Sequence, residues 1–280
     1  MANQPTYLVA LRQGQTLLAG AKQDPSAAQY LLTEAHGWTF TQLVLHYRDT
    51  MPVAEYHTFQ EQLQRVAAGE PAQYVLGRAS FYGRDFRVTS ATLIPRQETE
   101  ELVSWILAVT QGAPLQALDV GTGSGAIALT LKAERPAWQV TATDISAAAV
   151  AVAQENAQRL MTPVTFTTGD LFAPVSHQRF DVIVSNPPYI DRAETVVMDE
   201  SVKRYEPEQA LYAANHGLAF YERFAQELAT YLLPGGQFFA EIGYQQGAAV
   251  KTIFTDTLPN AKVTVKTDIN GHDRMVRVQL

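Results

Sequence analysis

The sequence predicts an α/β fold: a seven-stranded, mostly parallel sheet with one antiparallel strand, preceded by a small helical bundle. Three observations carry this reading. From residue 116 onward, short apolar and β-branched runs alternate with helical stretches. A glycine-rich turn joins the first of those runs to a helix of small residues. The first 75 residues, in contrast, show only helical spacing of their apolar positions.

The chain has 280 residues, 46% apolar and 18% charged. That is enough apolar material for a core and excludes a disordered chain. In the N-terminal block, Tyr7, Leu8, Leu11, Leu17 and Leu18 form one stripe. Asp24-Pro25-Ser26 starts a helix over 27–35, and Phe40, Leu43, Val44 and Tyr47 repeat at three and four. A further helix over 53–68 carries Phe59, Leu63 and Val66, and Gly69-Glu70-Pro71 stops it. Around Phe81-Tyr82-Gly83 and Phe86-Arg87-Val88 the helical period is lost, which predicts a hairpin or extended bridge. The expected organisation is a docking module over 1–75, a bridge over 76–95 and a sheet domain over 96–280.

Within the sheet domain a helix is expected over 98–109. Strands follow at 118–120, 140–144, 164–168, 180–185 and 237–242, with helices over 125–133, 146–160, 217–232 and 248–254. Segments 262–266 and 275–279 are expected to pair antiparallel at one side of the sheet.

The turn Asp119-Val120-Gly121-Thr122-Gly123-Ser124-Gly125 lets a ligand approach the backbone, and the next helix offers its N-terminal amides. It lacks the Lys and Ser/Thr of an NTPase phosphate loop. With Ala126 in the last glycine's place it also satisfies the loose dinucleotide fingerprint, so the loop alone leaves NAD open beside other adenosine cofactors. Asp144 closes the second strand and can accept both ribose hydroxyls, with Ser146 as the neighbouring helix cap. Asp170 can accept from an adenine amine, and Leu171 can pack on the ring.

Ser185-Asn186-Pro187-Pro188-Tyr189 follows the fourth strand directly. Two prolines stiffen the backbone and remove two donors while their carbonyls remain acceptors. Asn186 Oδ1 and the Pro187 carbonyl can each accept one N–H of an NH₂ group, fixing its nitrogen for in-line attack. Tyr189 is expected to lie against the planar target. Asn186, Pro187 and Tyr189 are the candidate catalytic residues.

Together, the glycine loop, Asp144, Asp170 and Asn186-Pro187-Pro188-Tyr189 resemble the class I S-adenosylmethionine-dependent methyltransferases that modify planar nitrogen. The closer resemblance is to the bacterial release factor glutamine-N5 methyltransferases. It extends through Gly69-Glu70-Pro71, Phe81-Tyr82-Gly83, Leu93-Ile94-Pro95-Arg96, Glu98-Thr99-Glu100, Tyr205-Glu206-Pro207 and Glu241-Ile242-Gly243. It departs at Gln97, where the family commonly has a second proline, and at Leu171, where an aromatic is frequent. The resemblance implies a Rossmann-like methyltransferase sheet and S-adenosyl-L-methionine as cofactor. Gly121, Thr122, Gly123, Ser124, Gly125, Asp144, Asp170, Leu171 and Asn186 are expected to hold it. Asn186, Pro187, Pro188, Tyr189, Arg96 and Glu206 are expected around the substrate. The implied reaction is methylation of the glutamine in the Gly-Gly-Gln motif of class 1 peptide chain release factors.

An adenine or guanine amino group presents the same NH₂ chemistry, so a nucleic-acid methyltransferase is the alternative. The net charge of −7 argues against stable nucleic-acid binding, and the first 75 residues carry four basic against six acidic residues. Arg78, Arg84, Arg87 and Arg96 are expected in solvent or in ion pairs, with contact to an acidic substrate surface as the alternative. An NAD oxidoreductase would leave the Asn-Pro-Pro-Tyr turn without a part, and a cofactor-binding protein without catalysis is the remaining class. With no cysteine and no paired histidines, a metal site is not expected. Residues 1–5 have no basic n-region and no long apolar run occurs, so a cytoplasmic protein without membrane association is expected; a monomer is expected separately.

Overall fold

The computed structural model describes residues 4–110 and 114–280. Met1, Ala2 and Asn3, read above for a targeting signal, lie outside the described residues. The elements in chain order are α1 (Tyr7–Gly20), α2 (Ser26–His36), α3 (Phe40–Leu45), α4 (Val53–Ala67), α5 (Ala72–Leu76), β1 (Arg78–Phe81), β2 (Arg84–Arg87), α6 (Gln97–Val109) and β3 (Gln116–Val120). They continue with α7 (Ala126–Glu134), β4 (Gln139–Asp144), α8 (Ala147–Arg159), β5 (Thr165–Thr168), β6 (Phe180–Ser185), α9 (Glu200–Tyr205), α10 (Ala219–Tyr231), β7 (Leu232–Glu241), α11 (Gly247–Thr257), β8 (Lys262–Thr267) and β9 (Asp273–Gln279).

The chain divides into two units. One comprises Met1–Arg78 with Asp199–Tyr205, the other Ala79–Met198 with Glu206–Leu280. In the helical unit, α1 and α4 bury Leu11, Leu18, Phe59 and Leu63 in a common core. Thr6 caps α1, and Thr39 with Gln42 forms a capping box on α3. The helical pattern persists through α5, beyond the point where the sequence suggested a change, because Pro71 starts that helix and Gly77, in the left-handed region, ends it. The segment Asp199–Tyr205 belongs to this unit, with the Tyr205 hydroxyl donating to the Ala68 carbonyl at 3.4 Å.

In the sheet unit, β1 and β2 form a hairpin. Its turn residues Tyr82 and Gly83 both have positive φ (51° and 72°), as a type I′ turn requires. The main sheet has seven strands in the order β5-β4-β3-β6-β7-β9-β8. The pairs from β5 to β7 are parallel, and β9 runs antiparallel to both its neighbours. The two faces are covered by separate apolar layers. One includes Leu102, Ile106, Leu129 and Trp138, the other Phe172, Phe224, Phe238 and Phe254. On α10 the buried residues Tyr221, Phe224, Ala225 and Leu228 follow the spacing of one helical face. The strand order reverses between β3 and β6, whose C-terminal residues Val120 and Ser185 are partners. Open α/β sheets bind ligands at such a switch point.

Candidate functional site

A cavity of about 270 Å³ opens at that switch point. The glycine turn forms its floor through Gly121, Thr122, Gly123 and Ser124. Helix α7 begins here without a side-chain cap from Gly125, and of its first-turn amides that of Ala128 goes to Asp119, which leaves those of Ala126 and Ile127 for a ligand. Gly125 is not among the lining residues. A Cβ there would lie 3.0 Å from Leu129 and 3.1 Å from Ala153, so this glycine lets α7 pack rather than touching a ligand.

The turn is held from several sides. Gly121 and Thr122 donate to the Thr143 carbonyl at 2.8 and 3.0 Å. Asn156, fully buried, donates to the Ser124 carbonyl at 2.8 Å and to the Arg87 carbonyl at 2.9 Å. Beneath the loop, Asp119 accepts from the Thr122 hydroxyl at 2.6 Å and the Ala128 amide at 3.1 Å through one oxygen, while Oδ1 is buried without a partner among the described residues. Burial pushes its carboxyl up to about 7, against the pull of those two donors.

Asp144 lines the cavity at the end of β4. Its Oδ2 accepts from the Gly123 amide and its Oδ1 from the Ser146 amide, both at 2.8 Å. Each oxygen keeps a lone pair for a vicinal diol. Burial raises its carboxyl above the usual range. Ser146 caps α8 by accepting from Ala149, which leaves Asp144 to the cavity as expected. Asp170 and Leu171 also line it, but Asp170 is paired with Arg223 at 2.6 Å. One oxygen of its carboxylate is therefore shared with a cation on α10. Arg223, Phe220, Phe224 and the exposed Ile145 complete this wall, and sequence reasoning missed all four. Only Ile145 left a signal: an apolar residue standing between Asp144 and the cap Ser146.

At the other end stand Asn186, Pro187 and Pro188. Asn186 Nδ2 donates to Thr99 Oγ1 at 3.1 Å, and Thr99 donates to Glu241 Oε2 at 2.6 Å. Asn186 Oδ1 and the Pro187 carbonyl have no hydrogen-bond partner among the described residues. Tyr189 does not line the cavity. Its hydroxyl donates to Glu241 Oε1 at 3.0 Å and its ring packs against the apolar layer under α10. The residue expected against the target thus makes its hydrogen bond to Glu241. Burial, chiefly, raises the Tyr189 hydroxyl well above its ordinary value and raises the Glu241 carboxyl as well.

Glu206 is likewise absent from the lining. It is buried and accepts from Arg96, which does line the cavity. The other arginines of the bridge are also paired: Arg78 with Glu34, Arg84 with Glu134 and Arg87 with Glu155. Among the described residues no group of three metal-ligating side chains occurs, and no helix is long and apolar enough to cross a membrane.

Two family models match the chain: the Methyltransferase small domain over residues 99–204 and the PrmC N-terminal domain over residues 9–77. The chain is 41% identical over 269 residues to the release factor glutamine methyltransferase of Enterococcus faecalis, covering 96% of this chain and 97% of the relative. To the protein of the same name from Bacillus subtilis it is 38% identical over 278 residues, covering 97% and 96%. In fold it is similar to the crystal structure of a methyltransferase from Pyrococcus furiosus (TM-score 0.55, 17% identity), over 79% of this chain and 98% of that one.

Proposed function

The chain belongs to the release factor glutamine methyltransferase family, and on that premise we propose that it moves the methyl group of S-adenosylmethionine to the side-chain amide nitrogen of the Gly-Gly-Gln glutamine in class 1 release factors. The observation that carries this reading is the Asn186-Pro187 turn, which lines the same cavity as the glycine loop and Asp144 and whose two acceptors have no partner among the described residues.

The residues present fit the donor. Asp144 has acceptor capacity for a ribose diol, the uncapped start of α7 offers amides to a carboxylate, and Leu171 with Phe220 offers apolar surface for a ring. When bound, the donor supplies an electrophilic methyl group on a sulfonium. The chain's own part is orientation. An amide nitrogen is a weak nucleophile because its lone pair is delocalised into the carbonyl. Asn186 Oδ1 and the Pro187 carbonyl each accept one N–H, which aligns the nitrogen and stabilises positive charge as it develops on it. The nitrogen then releases one proton to solvent.

Protein rather than nucleic acid is favoured by charge. The net charge is −7, and the two arginines that line the cavity, Arg96 and Arg223, are each matched by a carboxylate. The test is to incubate the purified protein with S-adenosylmethionine and a class 1 release factor, or with DNA or RNA, and to localise the methyl group by mass spectrometry. One added methyl on the Gly-Gly-Gln glutamine is expected. Methyl incorporated into nucleic acid and not into the factor would overturn the reading.

A further inference from the structure

We propose that Thr99 and Glu241 are positioning residues that set the hydrogen-bond polarity of Asn186, and through it make the site select an NH₂ target over a carboxylate of the same shape. The inference rests on the methyl-transfer reading above. A threonine hydroxyl has one proton. In Thr99 that proton goes to Glu241 Oε2 at 2.6 Å. Toward Asn186 the same oxygen can only accept, and Asn186 Nδ2 meets it at 3.1 Å. The planar amide is thereby locked with Oδ1 as its remaining functional atom, and no described residue occupies that oxygen.

The opposite orientation would turn Oδ1 toward a hydroxyl that has no proton left to give. It would also present the Asn186 NH₂ to the cavity, where it would face the NH₂ of the target donor to donor. Glu241 anchors the relay at both ends of the turn, because its second oxygen accepts from Tyr189 at 3.0 Å. Thr99 on α6 and Glu241 on β7 are both buried, 142 positions apart in sequence. Packing fixes them before any target arrives, so the polarity is preset rather than induced.

Thr99→Val keeps the side-chain shape and removes the hydroxyl, while Thr99→Ser keeps the hydroxyl. The three proteins are compared for S-adenosylmethionine affinity by calorimetry, for kcat and KM on a release factor, and for inhibition by a factor whose target glutamine is replaced by glutamate. Thr99→Val should bind the donor within about 3-fold of wild type and lose on the order of 100-fold in kcat. The glutamate-bearing factor should compete roughly 10-fold better against it, because the freed amide can turn its NH₂ to a carboxylate. Thr99→Ser should restore most of the turnover and the discrimination.

Wild-type turnover in Thr99→Val would overturn the proposal. So would lost turnover with discrimination between glutamine and glutamate unchanged, the signature of a merely structural role. A wild type that leaves the factor unmethylated would defeat the functional reading instead. In that event the Asn186 side-chain amide resonances decide the polarity. An exchange-protected Nδ2 proton in wild type and Thr99→Ser, lost in Thr99→Val, supports the relay; the same protection in all three proteins overturns it.

Discussion

Arg96 donates its guanidinium to Glu206 across 110 positions of sequence, and the two ends of the pair differ in exposure: the Arg96 side chain is 35% exposed and that of Glu206 only 1%. The second Glu206 oxygen accepts the Ile94 amide at 3.4 Å. The pair therefore ties the Leu93-Ile94-Pro95-Arg96 stretch to the loop carrying Pro207, Gln209 and Ala210, and both pieces line the cavity. Of two residues read from sequence as substrate contacts, Arg96 lines the cavity and the buried Glu206 anchors it.

Removing the cation should cost more than neutralising the anion. Arg96→Met strands a buried carboxylate, for a loss of about 2–4 kcal/mol, reduced from a fully buried pair because Arg96 is partly in solvent. Glu206→Gln keeps an acceptor for Ile94 and should cost about 1–2 kcal/mol. Urea unfolding at pH 7 compares the two variants, and a larger loss in Glu206→Gln would contradict the arrangement.

Gly217 is where the chain leading into α10 meets the residue that follows Asn186-Pro187-Pro188. Its φ is +80°, and a Cβ there would lie 2.0 Å from the Tyr189 carbonyl oxygen. That same oxygen accepts from Gln246 Nε2 at 2.8 Å. Gly217→Ala must displace the carbonyl, the Gln246 bond and the turn behind Asn186. We expect a stability loss of about 2–3 kcal/mol and a drop in kcat that exceeds any loss of donor affinity. Thermal unfolding and steady-state kinetics measure the two; a variant with unchanged kcat would show that the turn does not depend on this approach.

Asp119 makes stability depend on pH. Its folded-state carboxyl titrates near 7, raised from the ordinary 3.8 chiefly by burial. The folded protein thus holds a proton that the unfolded chain releases. This contribution is complete below about pH 4 and is lost as pH rises through 7. Asp119→Asn lacks the titration, so wild type should lose about 2–3 kcal/mol relative to the variant between pH 5 and pH 8. Unfolding at those two pH values tests it, and a difference that does not change with pH would refute the assignment.

What could be read from the sequence was what local chain geometry encodes. The glycine turn, Asp144 and the Asn186-Pro187-Pro188 turn each follow a strand within a few residues, and the strand positions alone bring them to one edge of the sheet. Helix α10 was legible as a helix, but its amphipathic pattern does not say that Arg223 and Phe220 reach the cavity. That depends on a strand order fixed by contacts far apart in sequence. The Thr99–Glu241 bond is of the same kind. Tyr189 is a contrast: adjacency in a motif suggested a surface shared with Asn186, and its partly buried ring packs against an apolar layer with its hydroxyl on Glu241.

The position of β9 bears on how the molecule comes into being. It lies between β7 and β8 and buries Met275, Val276 and Val278, yet it is made after every other strand of the sheet. Until those residues have left the ribosome, β8 has no neighbour to join and β7 presents a bare edge. A nascent chain stalled a few codons early would expose that edge to other polypeptides, so premature arrest near residue 273 should yield an aggregating fragment rather than a slightly weakened enzyme.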